Sequence, residues 1–171
     1  MTCIAANRKE MAGDSQVSFG AAMYRARKLH RIGDAIVGVA GDAGHTTKFL
    51  AWFRRECPAD EVGMTLDEDH QFNALVLRPT GLWFYSDCTE PDFVRDQFIA
   101  IGCGAEFAIA AMALGKSPRE AVALACKLSP SCSPPIDVET LVRKTKKAKK
   151  ERKPVALSPE QMEVIAKETI A

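Results

Sequence analysis

The sequence predicts an α+β fold with two sheets packed together and helices outside. Three observations carry that expectation. Candidate strands come in hairpins rather than in alternation with helices. The stretch Ala35–Gly41 is apolar on both faces, as a strand between two layers must be. Two helices follow one another directly late in the apolar part of the chain. The order is a hairpin, two further strands, a helix, a second hairpin, a strand running into Gly-x-Gly and then the two helices.

In chain order, residues 2–6 are small or apolar, Asn7, Arg8, Lys9 and Glu10 are turn-like, and Met11, Ala12 and Gly13 resume the apolar run. This predicts a tight hairpin ending at Asp14. Residues 14–20 are rich in turn formers, and residues 26–32 fit strand or helix by pattern alone until Gly33 and Asp34 break them. Ala35–Gly41 is a central strand. Phe49, Leu50, Trp52 and Phe53 then fall at helical spacing within residues 45–56, and Pro58 marks the end of that helix. Pro79 and Gly81 form a turn between residues 74–77 and 82–85, a second hairpin. The strand Phe98–Ile101 leads into Gly102, Cys103 and Gly104. Residues 107–114 are an alanine-rich helix that Gly115 stops, and Ser117 caps another that begins at Pro118 and runs to about Leu128. Prolines keep residues 129–135 extended, and Asp137 caps Val138 to Leu141.

Composition sets limits without naming a function. A chain of 171 residues with 47% in the hydrophobic set is long enough for one domain with a real core. The domain is expected to span residues 1–141. Residues 142–171 form a basic linker, dense in lysine and arginine from Arg143 to Lys153, and a helical tail beginning near Ser158. No aromatic residue interleaves that basic run, which argues for a solvated segment over a nucleic-acid contact. No apolar run approaches the ~20 residues of a membrane span, and the N-terminus lacks signal-peptide character, so a cytoplasmic location is expected. The six cysteines include no C-x-x-C pair, and no histidine stands at ligand spacing. Reduced thiols are expected, with no metal and no cofactor.

The first residues carry the chemistry. Thr2 directly follows the initiator methionine. Methionine ahead of a small residue is normally trimmed, which would give Thr2 both a hydroxyl and a free α-amine. A threonine hydroxyl is a poor nucleophile, whereas an unperturbed α-amine titrates near 7.7–8.0 and suits the role of its general base.

Four further features follow in order: Gly13-Asp14-Ser15, Lys28 in a strand-like segment, the apolar strand closing in Val39-Ala40-Gly41, and residues 99–104 ending in Gly-Cys-Gly before Glu106-Phe107-Ala108. With Thr2 at their head, residues 2–141 resemble the proteasome β-subunit and HslV family of threonine-type N-terminal nucleophile (Ntn) hydrolases. The resemblance implies a four-layer αββα sandwich of two antiparallel sheets. It also implies a threonine endopeptidase in which Thr2 attacks, Lys28 lowers the proton affinity of its hydroxyl, Asp14 holds the lysine, and the Gly41 N–H faces the oxyanion. Ser18 would hold an extended substrate through its backbone, and Val39 and Ala43 would line the first specificity pocket, with a modest preference for apolar side chains. Implied partners are peptide or unfolded protein, further copies in a homo-oligomeric ring, and by analogy an ATPase regulator.

Two departures from the family's pattern bear on the site. The first hairpin is a few residues shorter than usual, and Cys103 stands where the family generally has the serine that helps bind the new amine. Ser129 and Ser131 lie where a further amine-supporting pair is expected. A catalytically silent, ring-forming scaffold or binding protein of the same fold is the alternative that these departures favour.

Overall fold

The computed structural model describes residues 1–56, 72–86 and 90–141. The expected basic tail, the break at Pro58, and Cys57 and Cys88 lie outside the described residues.

The first hairpin joins β1 (Ile4–Asn7) to β2 (Glu10–Gly13), with Ile4 opposite Gly13 and Ala6 opposite Met11. Asn7 closes the turn by accepting the backbone N–H groups of Lys9 and Glu10, each at 2.8 Å. Two later strands complete this sheet: β10 (Phe98–Ile101) beside β1 and β11 (Asp137–Thr140) beside β2, giving the order β10-β1-β2-β11, all antiparallel. The second sheet is β5 (Leu29–Ile32), β6 (Ala35–Gly41), β7 (Phe72–Arg78), β8 (Gly81–Ser86) and β9 (Asp92–Phe93), in that spatial order.

Strand alternation sorts the apolar residues into three cores. Cys3, Ala5, Ala12 and Ala100 face outward onto α2 (Ala105–Ala113) and α3 (Pro118–Leu128). Ile4, Ala6, Met11 and Ile101 face inward, where they meet Leu29, Ile36, Ala40, Leu75 and Leu77 of the second sheet. The other face of that sheet presents Val37, Val39, Phe72, Ala74 and Val76 to Phe49, Leu50, Trp52 and Phe53 of α1 (Ala43–Arg54). Three buried interfaces make four layers, αββα. Between the sheets Gly38 allows close approach: a Cβ there would meet Met11 Sδ at 2.7 Å and Ile4 Cγ2 at 2.9 Å.

Helix ends follow the chemistry of their caps. Ser117 and Glu120 form a reciprocal capping box at the start of α3, with Pro118 in its first turn. Asp42, which the apolar spacing alone does not single out, accepts the Gly44 and His45 N–H groups and starts α1 earlier than expected. Small residues Ala108, Ala111, Ala121 and Ala125 are buried where α2 and α3 lie on the sheet.

Two local expectations are corrected, and one strand is added. Residues 14–20 are not merely a turn, since β3 (Gln16–Phe19) pairs with β4 (Ala22–Arg25) as a separate ribbon turning at Gly20, φ +56°. Its second strand is exposed throughout, so no buried stripe marked it in the sequence. Asp137 does not cap a helical turn but begins β11, an edge strand whose burial alternates and whose partner is the free edge of β2. The two-residue β9 lies on β8, below the length at which periodicity is legible. No helix among the described residues is long and apolar enough to cross a membrane.

Candidate active site

Three segments converge on Thr2. The turn after β2 brings Asp14 beside Cys3: Asp14 N–H donates to the Cys3 carbonyl at 3.0 Å, and Cys3 N–H donates to Asp14 Oδ1 at 2.8 Å. Lys28, placed just before β5 by the bond from Val39 N–H to its carbonyl, donates from Nζ to Asp14 Oδ1 at 2.8 Å. The pair is buried, with side chains 7% and 0% exposed. Asp14 Oδ2 accepts the N–H groups of Gln16 at 3.0 Å and Ser133 at 3.2 Å. One fully buried carboxylate therefore has four donors, the condition under which a buried charge is tolerated. The short hairpin does not displace Asp14, because pairing at the Ile4–Gly13 end keeps Cys3 and Asp14 adjacent.

The Thr2 hydroxyl donates to the Met1 carbonyl oxygen at 2.6 Å, and Lys28 Nζ donates to the same oxygen at 3.0 Å. On its other side Thr2 is gripped by the Gly-Cys-Gly turn. Thr2 N–H donates to Cys103 Sγ at 3.1 Å, while the Thr2 carbonyl accepts from Gly104 N–H at 3.2 Å and from Cys103 Sγ at 3.4 Å. Gly102, at φ +88°, lies so close that a Cβ would stand 2.2 Å from the Thr2 oxygen. Met1, Thr2, Ala40, Gly41, Asn73, Gly102 and Cys103 line a cleft of about 460 Å³. Gly41 ends β6 at φ +121°, a conformation suited to glycine.

No protein-family model matches the sequence, and no curated protein matches it at a significant level. Solved structures do. A Thiobacillus denitrificans BPH in complex with epoxomicin aligns with a TM-score of 0.60 at 18% identity, over 82% of this chain and 98% of that one. A eukaryotic HslV from Trypanosoma brucei aligns with a TM-score of 0.60 at 22% identity, over 81% and 98%. Anbu, an ancestral beta-subunit from Yersinia bercovieri, aligns with a TM-score of 0.62 at 15% identity, over 82% and 81%. The chain has the proteasome-like Ntn-hydrolase fold.

Within this proteasome-like fold the sequence-predicted residues separate into two groups. Thr2, Asp14, Lys28 and Cys103 are joined by hydrogen bonds, and Gly41 lines the same cleft. Val39 is buried against α1, Ala43 is the first residue of that helix, and neither lines the cleft. Ser18 sits half-buried in β3 opposite Met23. Ser129 caps α3, and its hydroxyl accepts from Ser131 N–H at 3.2 Å, so that pair shapes the loop. Ser133, two residues on, is the member of this loop that reaches Asp14.

Sequence reasoning also missed Asn73 and Gly102 as cleft residues. The glycine could have been found from its place beside Cys103, whereas Asn73 is brought in only by sheet pairing.

Behind the site, Cys3 and Cys132 pack on Gly104, where a Cβ would lie 2.7 Å from each of Cys132 Sγ and Cys3 Cβ. The hydrogen bond between their thiols, with burial, raises Cys3 and lets Cys132 ionise first, at about 7. Burial also raises Cys126 to about 11. Among the described residues no group of three His, Cys, Asp or Glu is placed to hold a metal ion.

Proposed function

We propose that the chain is a threonine-type peptidase whose nucleophile is Thr2 after removal of Met1. The observation that carries this reading is the convergence of the Thr2 hydroxyl and the Lys28 ammonium on one carbonyl oxygen, with Lys28 held by the buried Asp14. With Met1 gone, the Thr2 nitrogen becomes an α-amine next to Cys103 and takes the hydroxyl proton as Oγ1 attacks a peptide carbonyl. Lys28 stabilises the negative charge gathering on Oγ1, and the Gly41 N–H serves the oxyanion, a type of contact worth roughly 10²–10³ in rate. The tetrahedral intermediate then collapses: its C–N bond breaks, the leaving amine takes the proton held by the α-ammonium, and the acyl group stays as an ester on Oγ1, which water hydrolyses to restore Thr2. In line with the resemblance, the substrate is an extended peptide or unfolded protein along Ser18. The working form is a homo-oligomeric ring in the cytoplasm, with an ATPase regulator as partner by analogy.

Intact-mass measurement before and after treatment with epoxomicin, the ligand of the Thiobacillus structure, tests the reading. The expected result is loss of the Met1 mass, gain of one inhibitor mass, and loss of that gain together with peptide cleavage in Thr2→Ala. Retained Met1 in active protein would sink the mechanism.

A second reading, a silent scaffold of the same fold, is favoured by one feature. With Met1 in place its carbonyl oxygen occupies both Lys28 Nζ and the Thr2 hydroxyl, and Thr2 is only 7% exposed. Protein that keeps Met1, cleaves no peptide and still assembles would establish that reading.

A further inference from the structure

Side chains on β7 alternate between the α1 face, which takes Phe72, Ala74 and Val76, and the face between the sheets, which takes Leu75 and Leu77. Asn73 belongs by this alternation to the inner face. An apolar residue there would continue the core, and the amide breaks the pattern where the sandwich opens into the cleft beside Thr2. Pairing places Asn73 opposite Ala40 on β6 and Ser86 on β8. Ala40 carries only a methyl group and Gly41 no side chain, so the neighbouring wall is low and the half-buried amide borders open space. Among the described residues no hydrogen bond engages its carboxamide.

Met1 shows what the cleft receives. Its carbonyl carbon is bonded to the Thr2 nitrogen, and its oxygen accepts from the Thr2 hydroxyl at 2.6 Å. Met1 thus stands on the nitrogen of Thr2 in place of the acyl group that peptide cleavage would leave on Oγ1 of the same residue. It lines the same cleft as Asn73.

Resting on the peptidase reading above, we propose that Asn73 is a substrate-specificity residue that selects a neutral, hydrogen-bonding side chain, glutamine or asparagine foremost, on the residue supplying the acyl group. A carboxamide presents a donor and an acceptor in one plane, and another carboxamide complements both. A carboxylate answers only the donor, an ammonium only the acceptor, and an apolar chain neither. Among the described residues the cleft adds no unpaired charged side chain to override this, because Lys28 and Asp14 neutralise one another at 2.8 Å. The preference differs from the apolar one that Val39 and Ala43 would impose.

The test uses full-length protein lacking Met1 and fluorogenic peptides that differ only in the acyl-side residue: Gln, Leu, Glu or Lys. Wild type is expected to favour Gln over Leu by about tenfold in kcat/KM, the worth of one net hydrogen bond. Asn73→Leu is expected to reverse that ratio, and Asn73→Asp to move the preference toward Lys. Asn73→Asp also serves if the leucine variant fails to fold. A wild type that favours Leu, or Gln:Leu ratios within about twofold of wild type in the folded variants, overturns the proposal. Epoxomicin labelling of Thr2 separates the two failures. Labelled protein that cleaves peptides with unmoved ratios refutes Asn73 alone, whereas unlabelled protein that cleaves none refutes the peptidase reading and this proposal with it.

Discussion

Replacing Asp14 by asparagine and Lys28 by methionine separates two roles that the buried pair combines. In Lys28→Met the carboxylate loses its cation but keeps three backbone donors, from Cys3, Gln16 and Ser133. Breaking a buried pair by removing one partner typically costs about 3–5 kcal/mol, and the three remaining N–H groups place this variant near the lower end, about 3 kcal/mol. In Asp14→Asn the ammonium of Lys28 is left buried without its counter-ion. One carboxylate oxygen also becomes an NH₂ group. Oδ1 serves Cys3 and Lys28, and Oδ2 serves Gln16 and Ser133, so either amide orientation turns a donor toward two donors. Unsatisfied buried groups cost about 1–3 kcal/mol each, and two of them on top of the broken pair bring the total to roughly 5–11 kcal/mol, within reach of the whole stability of a domain. Urea unfolding followed by circular dichroism measures both. The expected order is wild type, Lys28→Met, then Asp14→Asn, the last partly or wholly unfolded without denaturant. An Asp14→Asn variant as stable as Lys28→Met would refute the four-donor account of Asp14.

The other predictions concern single contacts. Gly102→Ala forces a Cβ against the Thr2 carbonyl at positive φ, so a loss of roughly 3 kcal/mol and a melting point lower by about 10 °C are expected; an unchanged melting curve would place the turn elsewhere. Burial, then the charges of Arg54 and Arg27, lower the pKa of His30, so the folded protein resists its protonation. Stability should therefore be fully present above about pH 6.5 and fall as the pH drops through the lower folded value, and His30→Gln should flatten the slope of the urea midpoint between about pH 7.5 and 5.5. Iodoacetamide should alkylate the exposed Cys103 beside Thr2 and block both peptide cleavage and epoxomicin labelling, while Cys103→Ser stays active and labelled. Equal inhibition of the two proteins would show that another thiol is responsible.

Much of the fold is legible in the sequence, because burial on one face of a strand or helix writes itself as periodicity. Ala35–Gly41, the hairpin turning at Pro79 to Gly81, and the Ser117 capping box are each specified by residues within a few positions of one another. Elements without such local cause were missed. The exposed ribbon of β3 and β4, the edge strand β11 and the short β9 take their form from pairing with a distant or solvated partner.

The site divides along the same line. Through its resemblance to the threonine-type Ntn hydrolases, the sequence offered a nucleophile candidate at Thr2 and, in order along the chain, the Asp14, Lys28, Gly41 and Gly-x-Gly turn that would serve it. Only the tertiary structure decided which of these meet. Asp14 reaches Lys28 because antiparallel pairing holds Cys3 and Asp14 side by side, and Ser133 joins them from the far end of α3. Asn73 enters the cleft because β7 pairs with β6, while Val39 turns away because neighbouring residues of a strand face opposite sides. Contacts between residues far apart in sequence are selected by packing, and no local pattern in the chain records them.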